Sequence, residues 1–130
     1  MEIKDLKKIK IQFIKEDGQE ITLEEINQLI EKEKNITKKN FLRGCKHILE
    51  KHYPEAIKWF QLAEDFDDSI LLILFLSFKL NDQYLLHEYF TENLEQYDIF
   101  KNIGFKPYIK YKEKTLPLNI EVIKTLKENL

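Results

Sequence analysis

Between Ile70 and Phe78 the chain runs Ile-Leu-Leu-Ile-Leu-Phe-Leu-Ser-Phe, with Ser77 the sole polar residue. At 3.6 residues per turn such a segment is apolar on every side, so as a helix it must be covered on all faces. It is too short to cross a bilayer, which takes roughly 20 apolar residues of helix, so no membrane partner is expected. The cover must come from the rest of the 130-residue chain or from a second molecule. A chain of that length can bury one continuous core without disulfides or metals, and one domain spanning 1–130 is expected. Because a chain this short is expected to leave part of the helix uncovered, self-association into a homodimer is a second expectation. Three glycines and three prolines leave few places for turns and many for helices.

Local signals divide the chain into three stretches. In residues 1–36, Ile9, Ile11 and Phe13 alternate with polar residues as in a half-buried strand, and Asp17-Gly18 favours a tight two-residue turn pairing Ile14 with Ile21. Thr22-Leu23-Glu24-Glu25 reads as a capping box opening a helix at Leu23. In residues 37–104, a helix starting near Lys38 ends near Lys51, and another starts at Pro54, whose fixed φ suits a first helical turn. Ala56, Trp59, Phe60, Ala63 and Phe66 form one apolar stripe on it, which makes Trp59 a core residue. Asp67-Asp68-Ser69 caps the apolar helix Ile70–Leu80, and after Asn81-Asp82 a further helix spans Gln83–Gln96 with Leu94 among its apolar set. In residues 105–130, Tyr108–Tyr111 is strand-like and Asn119 caps a final helix carrying Ile120, Ile123 and Leu126.

Head and tail look alike. Laying residues 11–32 on 108–129 without gaps matches Lys15, Glu16, Glu24, Ile26, Leu29 and Glu31 with Lys112, Glu113, Glu121, Ile123, Leu126 and Glu128, although Phe13 falls on Lys110. Shared Lys, Glu, Ile and Leu bias yields such matches by chance as well as duplication does. If the two are one strand-turn-strand-helix unit used twice, their strands can pair with each other.

The segment from Phe41 to Asp68 resembles a tetratricopeptide repeat: Gly44 is the small residue where paired helices approach, Tyr53 the aromatic at the turn, and Ala56, Phe60 and Ala63 the packing positions. Ala56-Ile-Lys-Trp-Phe-Gln-Leu-Ala63 is also similar to the Sel-type variant. A second, looser copy runs from Asp68 to Tyr97. The resemblance implies a mainly α fold of antiparallel helical hairpins, here with small β elements at both ends. It further implies a non-catalytic adaptor that binds a protein or peptide in a groove lined by the first helices. The positions concerned are Lys38, Phe41, Leu42, Cys45, Ile48, Leu72, Ile73 and Leu76. Where such repeats clamp carboxylates with Lys, Asn and Arg, this chain has Phe41, Leu42, Cys45, Leu72, Ile73 and Leu76, so an apolar groove for an amphipathic helix or a hydrophobic segment is the expectation.

Charge gives the rival reading. Lys32, Lys34, Lys38, Lys39, Arg43 and Lys46 crowd one region, and Lys106, Lys110, Lys112 and Lys114 interleave with Tyr108 and Tyr111, as suits phosphate contact with base stacking. A net charge of −2 opposes strong attraction of nucleic acid, which makes it the less favoured partner. Cys45 and His47 point to different sides of a helix, and His47, His52 and His87 lack i,i+4 partners, so no metal and no cofactor are expected. No nucleophile elbow or glycine-rich phosphate loop occurs, which leaves no sequence support for an enzyme. A single cysteine and a charged start, Met1-Glu2-Ile3-Lys4-Asp5, lead to the expectation of a reducing, cytoplasmic location.

Overall fold

The structure, a computed structural model, describes residues 8–64, 68–90 and 104–128. Nine elements follow in order among them: β1 (Lys10–Lys15), α1 (Leu23–Lys32), α2 (Ile36–Leu49), α3 (Tyr53–Gln61), α4 (Asp68–Leu80), α5 (Gln83–Tyr89), β2 (Phe105–Tyr111), β3 (Lys114–Pro117) and α6 (Ile120–Glu128). The chain is mainly helical with one small antiparallel sheet, ordered β1-β2-β3. Phe66, Asp67 and Leu94, with the expected continuation of the fourth helix to Gln96, lie outside the described residues.

Helix starts follow the capping chemistry in the sequence. The Thr22 hydroxyl accepts the Glu25 N–H at 3.1 Å and the Glu25 carboxylate accepts the Thr22 N–H at 3.1 Å, which completes the capping box of α1. Asn35 accepts from Lys38 N–H at 2.9 Å, so α2 starts at Ile36, slightly before the expected Lys38. Asp82 and Asn119 cap α5 and α6 in the same way, at 3.0 Å each. The two internal hairpins close alike. Lys51 and Asn81 both adopt positive φ, 62° and 55°. The N–H groups of His52 and Asp82 reach back to the carbonyls of His47 and Ser77, at 2.8 and 2.9 Å, the Schellman arrangement that satisfies the last carbonyls of α2 and α4.

Helix α4 is the centre of the core. Leu71 to Phe78 are all buried, packed among α3, α5 and α6, and the Ser77 hydroxyl donates to the Ile73 carbonyl at 2.6 Å, which resolves its one polar group. The chain therefore covers its own apolar helix. The expectation of an exposed patch on Ile70–Phe78 is corrected: Leu71 to Phe78 are buried, and α6, far along the chain, supplies part of the cover. Between α2 and α3 the approach is close. A Cβ on Gly44 would stand 2.5 Å from the Phe60 ring, and Ala56, Phe60 and Ala63 are wholly buried around it.

Head and tail meet in the sheet. β1 runs antiparallel to β2, from Lys10 opposite Lys110 to Lys15 opposite Phe105, and β2 pairs onward with β3. The first hairpin is corrected: Ile14 bridges Glu20, not Ile21, because the loop holds three residues, with Gly18 at φ +85° and Asp17 Oδ1 accepting the Gln19 N–H at 2.9 Å. Ile21 N–H donates to the Phe13 carbonyl at 2.8 Å, and Leu118 N–H donates to the Pro107 carbonyl at 3.1 Å. Phe13 and Pro107 face each other across the ladder, and the carbonyl of each accepts from the returning segment of its own hairpin, so the two hairpins are bonded alike at that pair. The caps and helices that follow them match as the gapless alignment has them. The strands do not, because the second hairpin is three residues longer between corresponding pairs, Ile14–Glu20 and Tyr108–Pro117; hence Phe13 corresponds to Pro107 instead of Lys110. Both carbonyls of the central pair point away from each other, so it is a non-hydrogen-bonded pair, and the missing N–H of Pro107 interrupts no bond between β1 and β2.

Candidate interaction site

The residues expected to line a groove are placed otherwise. Phe41, Leu42, Cys45, Ile48, Leu72, Ile73 and Leu76 are all buried, and Phe41 packs on Phe60 with ring centroids 5.5 Å apart. They form the core between successive helices and offer a ligand no surface. The reason is the filling of the inner face of α2 by α3 and of α4 by α5 and α6, which among the described residues leaves no open channel of the kind that a long repeat array keeps. Lys38 alone of the set reaches solvent, half-buried, with its Nζ 3.5 Å from Glu33 Oε2.

An opening lies where α1 meets the hairpin of α2 and α3. Asn27, Ile30 and Glu31 on α1, Arg43, Lys46 and His47 on α2 and Trp59 on α3 surround a cleft of about 500 Å³. Each trio is spaced i, i+3, i+4, so it forms one helix face turned toward the other. Trp59 is half-buried in its wall, not a core residue as the stripe led us to expect. At 100° per residue it falls roughly 60° to one side of Ala56, while the buried Ile57 and Phe60 fall on the other, which puts the indole at the edge of the apolar arc. The Arg43 guanidinium lies over the indole at 5.0 Å and the His47 ring stacks beside it, 6.5 Å away and 11° from parallel. At a partly exposed site a cation over an indole contributes about 0.5–1 kcal/mol, enough to hold the wall in shape.

Behind this wall, the turn from α2 to α3 brings His52 to His47 and Glu50, which already share a helix face at i, i+3. His47 and His52 stand five positions apart, yet the reversal at Lys51 brings their rings to 5.9 Å, with a Glu50 carboxylate oxygen within 4.8 Å of a nitrogen of each. The sequence signal was a helix end signed by histidine at both positions of a hydrophobic cap contact, but no glycine marked the left-handed residue.

The sheet has one covered and one open face. Phe13, Phe105, Pro107 and Ile109 point into the core, with Phe13 edge-on to Phe105 at 5.3 Å. Lys106, Tyr108 and Lys110 alternate with them on β2, opposite Ile14, Gln12 and Lys10 of β1. Of the tail's aromatic pair, Tyr108 is on this outer face, whereas Tyr111 is on the core side with Lys112 Nζ 5.5 Å above its ring. Lys10 and Lys110 stand directly opposite, a like-charge pairing that costs stability when nothing neutralises it.

No helix among the described residues is long and apolar enough to cross a membrane. Compared with family models, with curated proteins and with solved structures, the chain matches none of them. The class defined by the fold is thus a mainly helical protein with a small antiparallel sheet made by its two ends.

Proposed function

We propose that this chain is a non-catalytic protein-binding module of tetratricopeptide type, acting in a reducing compartment such as the cytoplasm. In this reading a partner's peptide or helix docks in the cleft at Trp59, not in the groove of the first helices. The observation that carries the reading is the half-buried Trp59 with Arg43 laid over its ring. Trp and Arg dominate binding energy at protein interfaces, and here both are already held in place, which lowers the cost of ordering them on binding. The repeat type is supported by the close approach of Gly44 to Phe60 and by the same turn closing both hairpins. The test compares three immobilised baits in native extract: wild type, Arg43→Glu, and Tyr84→Glu as a control on exposed α5. A protein retained by wild type and Tyr84→Glu but lost by Arg43→Glu is the expected result. Identical retention by all three baits refutes the cleft.

The outer face of the sheet favours a second reading, in which Lys10, Lys106 and Lys110 around Tyr108 hold a nucleic-acid strand. Its test is a salt titration with single-stranded RNA and DNA, where binding falls steeply as salt rises. Failure to bind either at low salt removes it.

A further inference from the structure

We propose that His47, Glu50 and His52 form a binding site for a divalent transition-metal ion, with Zn²⁺ as the ion its chemistry fits. The donor atoms of these three residues lie within 4.8 Å of one another. Ligands around a tetrahedral zinc stand roughly 3.3 Å apart, given bonds of about 2.0–2.1 Å to imidazole nitrogen, so small shifts of the half-buried Glu50 and exposed His52 side chains toward His47 close the set. The site is built by the backbone. Lys51 N–H donates to the Ile48 carbonyl at 2.9 Å and His52 N–H to the His47 carbonyl at 2.8 Å, which holds the reversal at the end of α2. In such a cap the residue three from the helix end normally makes an apolar contact with the second residue beyond it. Here those two positions are His47 and His52, so imidazoles take the place of a hydrophobic pair.

A second observation points to a ligand. His47 Nδ1 is shielded from solvent and makes no hydrogen bond among the described residues; Glu50 Oε1 is 3.9 Å away. A buried ring nitrogen without a partner is unfavourable, and a metal ion bridging it to the carboxylate resolves it. The Trp59 ring stacked on His47 fixes the imidazole plane, as outer residues do around metal ligands. Two imidazoles and one carboxylate suit Zn²⁺, with Cu²⁺ and Ni²⁺ accepted by the same donors, and they leave a fourth position open to water or to a donor from another molecule. The site borders the Trp59 cleft but does not depend on the cleft's having a partner.

The test uses the full chain and Zn²⁺ alone, in competition with a chromophoric chelator. Trp59 is the sole tryptophan, so Cu²⁺ quenching of its fluorescence reports an ion at His47. His52 is exposed and its side chain makes no cap hydrogen bond, so His52→Ala leaves the fold in place. Expected are one-to-one Zn²⁺ binding and Cu²⁺ quenching in wild type, both weakened at least about tenfold by His52→Ala and by Glu50→Gln, and both unchanged in His87→Ala. Absence of one-to-one binding in the micromolar range, or binding that survives His52→Ala and Glu50→Gln, overturns the proposal.

Discussion

Replacing Gly44 with alanine tests the contact on which the central hairpin depends. On helix propensity alone the change stabilises by about 0.8–1 kcal/mol, because Gly44 sits inside α2 with an ordinary helical backbone. Packing opposes it. The new Cβ would lie 2.5 Å from Phe60 Cε1 and 2.7 Å from both Cδ1 and Cζ, and real methyl contacts are never that short. Phe60 is wholly buried and wedged against Phe41, so its ring yields only by moving α3 away from α2. Overpacking of this sort costs about 1–3 kcal/mol, and three simultaneous clashes place it at the upper end. Net of the propensity gain, Gly44→Ala destabilises by about 2 kcal/mol, roughly a thirtyfold loss in the folded-to-unfolded ratio. Urea denaturation followed by far-ultraviolet circular dichroism measures it, with a lowered midpoint and an unchanged slope. Phe60→Leu in the same background frees the space, so the double mutant loses less than the two single changes added together. Equal or greater stability of Gly44→Ala, with additive behaviour in the cycle, refutes the close approach.

Leu72→Glu places a charge at a wholly buried position of α4, at a cost comparable to the entire stability of a domain, so its circular dichroism spectrum loses the helical signal; a folded mutant of unchanged mass in sedimentation refutes the central position of α4. Tyr89 has its pKa pushed up to about 12, first by burial and then by its hydroxyl donating to the Glu64 carboxylate. Because the folded state holds the phenol proton more tightly than the unfolded chain, this stabilisation is complete below pH 10.0 and is lost as pH rises toward about 12. Glu64→Gln brings the Tyr89 titration down, seen as earlier phenolate absorbance; an unchanged titration curve rejects the bond. Thr22→Ala and Asn119→Ala each cost about 1 kcal/mol by urea denaturation, since each removes a side-chain oxygen from the first turn of a helix; loss at one site only would show that the two terminal units are not built alike.

What the sequence disclosed, and what it withheld, divides along the range of the interactions involved. Thr22, Asn119 and Pro54 act on backbone groups within four residues, so the helix starts they imply stand where the structure has them, to within a residue or two. The demand of Ile70–Phe78 for cover on every side was equally local. Its source was not, because β1, β2, β3 and α6 reach the core through pairings separated by nearly the whole chain, such as Lys10 with Lys110. Trp59 shows a finer limit. Apolar spacing assigns it to the stripe of Ala56 and Phe60, but the width of the buried arc depends on how closely α2 approaches, and Gly44 draws that contact toward Phe60 and away from the indole.

The turn after α2 carries the same reasoning to the candidate metal site. A left-handed residue at a helix end is usually glycine, because a side chain there costs about 1 kcal/mol or more. Lys51 accepts that strain with φ at 62°, and Asn81 does so in the second hairpin, where asparagine tolerates the conformation better. With glycine absent from both positions, periodicity runs on past the helix end and separates His47 from His52 by more than a full turn. The backbone reverses there instead, because the last carbonyls of α2 need donors and the N–H groups of Lys51 and His52 supply them. Two histidines that helical geometry holds apart are therefore joined by the hydrogen bonds that end the helix, and the chemistry at this corner is set by the cap.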